Sequence, residues 1–328
     1  MTTSTPGLGD LRRPVIEELK RFDGVFRESL RSRVGLLNII TRYIIRQKGK
    51  KVRPLLVFLS AQATGGITDR TFRGATLVEI LHTATLVHDD VVDDADTRRG
   101  FASINAVWKN KVAVLLGDYL LARGLLLSIE HGDHDFLQRT SDAVKRMSEG
   151  ELLQIQKSRQ LNLNEETYLQ IIGDKTASLF STCTEIGAMS ATSNADLHRR
   201  LREYGDRVGI AFQIRDDLLD YLGKRSIIGK PTGIDIKEKK LTLPLIFALD
   251  NGRRTDAHQA LSRIRKGANA KDVAWIVDFV ERSGGIEYAG RKAQEFADQA
   301  RAAIGPLPPS VAKDALMKFV DFVMQRST

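Results

Sequence analysis

The sequence predicts an all-α protein, and three observations carry that prediction. Apolar residues recur at three- and four-residue spacing, as in Leu77, Ile80, Leu81 and Ala84 and again in Val208, Ala211, Phe212, Leu218 and Leu219. The 8 prolines among 328 residues are too few to punctuate the many turns of an all-β fold. Hydrophobic residues make up 42% and charged residues 28%, the balance of a globular chain with a large core. No short repeat, low-complexity tract or linker-like stretch divides the chain, so a single helical domain over residues 1–328 is expected.

Taken in order, helices are expected at 10–32, 34–47, 52–64 and 70–95, with breaks at Gly65-Gly66 and Arg99-Gly100. The next, 111–130, holds the most apolar stretch, Val112 to Ile129. Asp118 and Arg123 would be costly at mid-bilayer depth, so it reads as a buried helix and not a membrane span. Gly132-Asp133 separates it from 134–158, and His131 and His134 in that break read as exposed loop polarity without a role. Helices at 165–173, 175–191 and 195–222 lead to the longest loop, Gly223 to Gly233. Then come 240–250, 255–265, 270–283, 285–303 and 309–325, the last two parted by Gly305-Pro306 and Pro308-Pro309.

Charge and cysteine usage narrow the function classes. The formal net charge is +9, but no run of five basic residues occurs, and no aromatics interleave the densest stretch, Lys237 to Lys240. Nucleic-acid binding is therefore excluded in favour of a small polyanionic ligand. Met1 to Gly9 shows no secretory pattern, and the single Cys183 lies in an apolar stretch, as a buried thiol would. A reducing, cytoplasmic setting is expected.

Against that background the run His88-Asp89-Asp90-Val91-Val92-Asp93-Asp94 closing an apolar helix needs a reason. Four residues turn a helix by about 400°, so Asp89 and Asp93 share a face, roughly 6 Å apart at Cβ. Such carboxylates repel unless a cation intervenes. A pair offering one or two hard oxygens per ion suits Mg²⁺ completed by water and phosphate. The spacing recurs in a second helix as Asp216-Asp217-Leu218-Leu219-Asp220. One cluster alone is explained by a solvated acidic face; two of the same spacing are not. Facing each other, Asp89, Asp90, Asp93, Asp216, Asp217 and Asp220 would hold several Mg²⁺ ions around one diphosphate. Fixed positive charge stands nearby in Lys50, Lys51 and Arg53, in Arg98 and Arg99, and in Lys175, Lys230 and Lys240. His82, seven residues before Asp89 and on nearly the same face, reads either as a bond to a second diphosphate or as a satisfied core histidine.

These residues closely resemble the trans-isoprenyl diphosphate synthases, and specifically the long-chain polyprenyl members such as octaprenyl diphosphate synthases, through most of the chain. Gly49-Lys50-Lys51-Val52-Arg53-Pro54 resembles the family's GKRxRP segment, which with a histidine matching His82 implies an isopentenyl diphosphate site. Arg98 then implies an allylic-diphosphate contact and Arg99 an isopentenyl-diphosphate contact. Lys175-Thr176 and Phe212-Gln213 resemble the KT and FQ pairs that touch the allylic substrate. Gly229-Lys230-Pro231 through Asp235, Lys240 and Thr242-Leu243-Pro244 resembles the closing segment. Lys48, Lys51 and Lys239 depart from the pattern, but none replaces a metal ligand.

The resemblance implies an isoprenoid-synthase-type bundle around a deep central cavity, a homodimer, three Mg²⁺ ions per site, and Mg²⁺-dependent condensation of isopentenyl diphosphate with a farnesyl or geranylgeranyl primer for quinone side chains. Membrane contact would be transient, at product release. Asp89, Asp93, Asp216, Asp220, Lys175 and Lys230 are the expected catalytic set. In the family, a bulky aromatic four or five residues before the first motif floors the product pocket. Here those positions are Thr85 and Ala84, with Leu81 a turn earlier, so a long product is expected. A terpene cyclase would mix Asn, Ser or Thr and Glu into the second motif, and a non-catalytic partner subunit would lack the aspartates; Asp216, Asp217 and Asp220 argue against both.

Overall fold

The computed structural model describes residues 7–46, 49–98, 100–222 and 233–326. Among them the chain forms α1 (Leu8–Arg12), α2 (Ile16–Ser29), α3 (Gly35–Arg46), α4 (Val52–Thr64), α5 (Asp69–Val92), α6 (Ile104–Glu130), α7 (His134–Gln160) and α8 (Glu165–Ile172). It continues with α9 (Ser178–Ala191), α10 (Ala195–Leu222), α11 (Ile234–Lys237), α12 (Leu243–Asn251), α13 (Arg254–Lys266), α14 (Ala270–Arg282), α15 (Gly285–Ile304) and α16 (Val311–Gln325). The all-α expectation holds. The one sheet is a hairpin of β1 (Thr97–Arg98) and β2 (Phe101–Ala102).

The centre of the bundle is α9, in which Ser178 through Ala188 are all buried. Its neighbours approach closely because glycines face it. A Cβ on Gly205 would lie 2.3 Å from Thr184 Oγ1, and one on Gly209 would lie 2.6 Å from the Ala177 Cα. On α4, Gly187 of α9 meets the Val57 carbonyl, where a Cβ would be 2.4 Å away. Close backbone approach of this kind needs glycine and sets α4, α9 and α10 as one slab. Cys183 in that slab has its thiol pushed up to about 12 by burial, as a structural cysteine should. The helices start where short polar side chains accept orphan amides: Thr68 takes Thr71 N, Ser103 takes Ala106 N and Asn164 takes Thr167 N.

Several elements differ from the sequence reading for identifiable reasons. Pro14 lies in a 3₁₀ turn, Arg13–Val15, which breaks the first expected helix into α1 and α2. The expected helix over 111–130 is present, and a short helical stretch from Ile104 precedes it within α6, the two meeting at a kink where Lys109 leaves helical geometry (φ 73°). Between α8 and α9 the chain does not break but widens into a π-turn, Gly173–Ala177. The hairpin and α11 were too short to read.

The α6 helix is not the buried helix that its composition suggested. Leu116, Gly117, Leu120 and Gly124 pack inward, whereas Val107, Val114, Leu115, Leu125, Leu126 and Ile129 are exposed. Among the described residues it is the one helix long and apolar enough to cross a membrane, yet one side of it is committed to the core. The break after it is also more than loop polarity. Asp133 is buried and binds both Arg70 (2.9 Å) and Arg73 (2.6 Å) of α5, pinning the start of α7.

Candidate active site

The first aspartate motif forms the last turn of α5, and the helix divides it between two faces. Asp89 and Asp93 are open to solvent, while Asp90 is buried at 2% exposure. Although Asp89 is exposed, the protein crowded around it partly desolvates its carboxyl and raises it above its ordinary value, against the pull of the Lys175 ammonium, and Glu151 and Asp93 add repulsion. Asp90 accepts a hydrogen bond from Arg98 Nε at 2.5 Å, because the hairpin that follows folds Arg98 back onto the helix. Asp90 and Arg98 line a cavity of about 80 Å³ together with His82, Lys51 and the apolar Phe22 and Phe26. His82 thus shares the face of Asp90 more than that of Asp89. Lys51 is ion-paired to Asp23, and Lys50 is exposed, its carbonyl accepting from Arg12. Arg53 is half-buried, its guanidinium 5.9 Å from the ring centroid of Phe180. Lys48, Arg99 and Lys230 lie outside the described residues.

The second motif sits near the end of α10 and is divided in the same way. Asp216 is open and meets Arg326 at 3.3 Å. Asp217 is buried, with both oxygens engaged: Tyr168 Oη donates at 2.6 Å and Gln213 Nε2 at 2.8 Å. Burial pushes its carboxyl up to about 7 against those two donors. Asp220 accepts from the backbone N–H groups of Gly233, Ile234 and Asp235, each at 3.1 Å. It therefore ties the far end of the long loop to α10. That attachment sets the place of Asp235, whose carboxyl burial and Asp220 push up to about 6, and of Lys240, which pairs with Glu238 at 2.6 Å.

The π-turn supplies the link between the motifs. The extra residue in its ring directs Lys175 and Thr176 inward. Arg146 fastens the turn by binding Asp174 at 2.7 Å, and Lys175 is ion-paired to Glu151 of α7. Glu151 also acts on Lys240, so one acid is electrostatically coupled to Asp89, Lys175 and the segment after the loop. Lys175, Thr176, Gln213, Asp217, Tyr168 and Lys240 line a second cavity of about 110 Å³. Of the expected chain-length residues, Ala84 is fully buried in the α3–α5–α6 cluster, Leu81 packs under Gly124 of α6, and Thr85 is half-buried one turn before Asp89.

Comparison with known proteins places this geometry. Residues 34–280 match the sequence model of polyprenyl synthetases. The chain belongs to the polyprenyl synthetase family. Two relatives are the all-trans-nonaprenyl-diphosphate synthase (geranyl-diphosphate specific) of Rhodobacter capsulatus, 35% identical with 97% of each chain covered, and the octaprenyl diphosphate synthase of Escherichia coli, 34% identical over 94% of this chain and 96% of the relative. Among solved structures, a decaprenyl diphosphate synthase from Rhodobacter capsulatus has a TM-score of 0.92 at 35% identity, covering 98% of this chain and 100% of that one. A polyprenyl synthase from Caulobacter crescentus complexed with calcium and isoprenyl diphosphate has a TM-score of 0.88 at 34% identity, covering 99% and 100%. The chain is accordingly a prenyltransferase.

As a polyprenyl synthetase the chain must neutralise a diphosphate, and its open carboxylates fit a metal in that role. Among the described residues no group of three His, Cys, Asp or Glu side chains is gathered tightly enough to hold an ion alone. Mg²⁺ does not need one, since it keeps water and takes substrate oxygens beside one or two carboxylates. The donor set of Asp89, Asp93 and Asp216 is of that kind. Sequence reasoning missed Glu151 and Tyr168, both outside the two motifs. Neither carries a signal of spacing: Glu151 is one acid among several on α7, and Tyr168 is a single aromatic on α8.

Proposed function

We propose that this chain is a long-chain trans-polyprenyl diphosphate synthase, adding isopentenyl diphosphate units to a farnesyl or geranylgeranyl primer in the presence of Mg²⁺. The observation that carries the reading is the division of both aspartate motifs into open carboxylates and buried, hydrogen-bonded ones. Asp89, Asp93 and Asp216 are open carboxylates that bind metal, Asp216 giving up its pairing with Arg326, while Asp90 orients Arg98 and Asp217 orients Gln213. Mg²⁺, three ions by this reading, would supply charge neutralisation at the departing diphosphate. Lys175 exchanges Glu151 for phosphate oxygens, and Lys240 does the same with Glu238, so charge developing on the leaving group meets fixed cations. Lys230 belongs with them by its resemblance to the closing segment. His82, Lys51 and Arg98 line the cavity on the other side of α5, where isopentenyl diphosphate binds and presents its alkene, and Arg53 belongs with them by its resemblance to the family's GKRxRP segment.

The protein acts as a homodimer in a cytoplasmic setting, and its product serves as a quinone side chain. Support for a long product is the absence of a bulky residue at Ala84 and Thr85, with Thr85 on the same side as Asp89. Purified protein incubated with Mg²⁺, farnesyl diphosphate and isopentenyl diphosphate should yield products longer than geranylgeranyl diphosphate, sized by chromatography after dephosphorylation. Cyclised hydrocarbons, or no turnover without a partner chain, would overturn the reading. Thr85→Phe should shorten the product; an unchanged distribution would remove Thr85 from the product path.

A further inference from the structure

Asp217 lies inside the second aspartate motif, yet its surroundings are those of a buried acceptor and not of an ion ligand. Its carboxylate is 6% exposed and accepts from Tyr168 Oη at 2.6 Å and from Gln213 Nε2 at 2.8 Å. On the other side of that amide, Thr176 Oγ1 donates to Gln213 Oε1 at 2.8 Å. The four side chains thus form one line, Tyr168 to Asp217 to Gln213 to Thr176, drawn from α8, α10 and the π-turn.

The direction of every bond in this line follows from chemistry. The amide is oriented by its contacts: its nitrogen, which can only donate, lies 2.8 Å from Asp217 Oδ1, and its oxygen, which can only accept, lies 2.8 Å from Thr176 Oγ1. The Thr176 proton is then committed to Gln213 Oε1, and what the Thr176 oxygen has left to present is lone pairs. A hydroxyl in that state repels a phosphate oxygen and favours a carbon that is becoming positive. Without Asp217 the amide has no reason to hold one orientation, and the hydroxyl is as free to donate to phosphate as to accept. Tyr168, 3% exposed, stands at the head of the line and donates to Asp217, and burial and the neighbouring carboxylate keep its proton in place. All four residues line the same cavity as Lys175.

We propose that Tyr168 is a positioning residue of the transferase site, which acts through Asp217 and Gln213 to present the Thr176 oxygen as an acceptor toward the allylic carbon. The inference rests on the functional reading above. Its test therefore has one arm that needs no turnover. In urea unfolding of the full-length protein without substrate, Tyr168→Phe, Thr176→Val and the double variant should be non-additive, as members of one hydrogen-bond line are; strict additivity overturns the line. The second arm is steady-state kinetics with Mg²⁺, farnesyl diphosphate and isopentenyl diphosphate. Tyr168→Phe should lower kcat about tenfold, the scale of one hydrogen bond in the transition state, with KM for isopentenyl diphosphate unchanged. In the Thr176→Val background the same change should cost less than about twofold. Asp217→Asn, which offers an N–H where only an acceptor fits, should be worse than Tyr168→Phe, whereas Thr176→Ser should keep most of the activity. A full effect of Tyr168→Phe on top of Thr176→Val, or a rise in KM for both substrates with kcat intact, overturns the positioning role. Turnover that is absent in the unaltered protein counts against the functional reading, and the unfolding cycle then decides the line by itself.

Discussion

At the residue scale, each motif mixes exposed carboxylates, which the proposed function assigns to metal, with buried, hydrogen-bonded ones. Asp89 and Asp90 differ by 100° around α5, enough to put one in the open and the other in a buried pair with Arg98. Replacement should separate them kinetically. Asp89→Ala, and likewise Asp216→Ala, removes a metal oxygen and should lower kcat by at least ~100-fold, the scale for losing a group that stabilises leaving-group charge. Asp90→Asn keeps the metal oxygens but loosens Arg98, so it should raise the KM of a diphosphate substrate more than it lowers kcat. Mg²⁺ titration of the initial rate checks both: the activation midpoint should move in Asp89→Ala and stay in Asp90→Asn. The alternation was invisible in the sequence, where all six aspartates looked alike. What decides the division is the hairpin that returns Arg98 and the approach of Tyr168, and neither has a signature of spacing.

At the element scale, the site depends on how closely α9 and α10 approach and on how α5 meets α7. Gly205→Ala would put a methyl 2.3 Å from Thr184 Oγ1 and 2.6 Å from the Phe180 carbonyl, both held by the core. Alanine gains about 1 kcal/mol of helix propensity over glycine, but overpacking of this kind costs ~1–3 kcal/mol, so thermal unfolding should shift downward. The α5–α7 joint makes a prediction in pH. Burial opposes ionisation of Asp133, yet hydrogen bonds from Arg73 and Arg70 hold its carboxyl below the ordinary value. A depressed folded pKa stabilises above the unfolded value, and that stability is lost as pH falls through the folded one. Asp133→Asn should therefore destabilise by ~3 kcal/mol near neutral pH, and the gap to the unaltered protein should close in acid, followed by urea midpoints across pH. Most helices were legible because their apolar spacing is regular, as in α5 and α10. The π-turn was not, because its sequence, Gly173 to Ala177, continues the helical pattern on both sides; nor was the joint, since Asp133 reads as a loop residue until the arginines of α5 are seen beside it.

At the scale of the whole molecule, the unpaired side of α6 remains to be covered. Beyond the kink at Lys109, Val114, Leu115, Leu125, Leu126 and Ile129 form a stripe along a helix about 30 Å long, with exposures of 40–58%. A stripe of that length is larger than a lone soluble chain commonly leaves in water, and a self-complementary helix face suits a second copy related by a twofold axis. The same helix touches the first aspartate motif from its inner side. A Cβ on Gly117 would lie 2.1 Å from His88 Nε2, and Asp118 stands 3.5 Å from that nitrogen. His88 directly precedes Asp89, so the proposed dimer, by holding α6, would hold the end of α5 as well. Leu115→Glu combined with Leu126→Glu should convert a dimer to monomers in sedimentation velocity, because two carboxylates per copy would be buried without partners. Turnover should fall with the dimer even though neither residue lines the two cavities of the site, and adding protein should restore neither. A variant that still sediments as a dimer would assign the stripe to some other partner, and a fully active monomer would cut the link from α6 to the first motif.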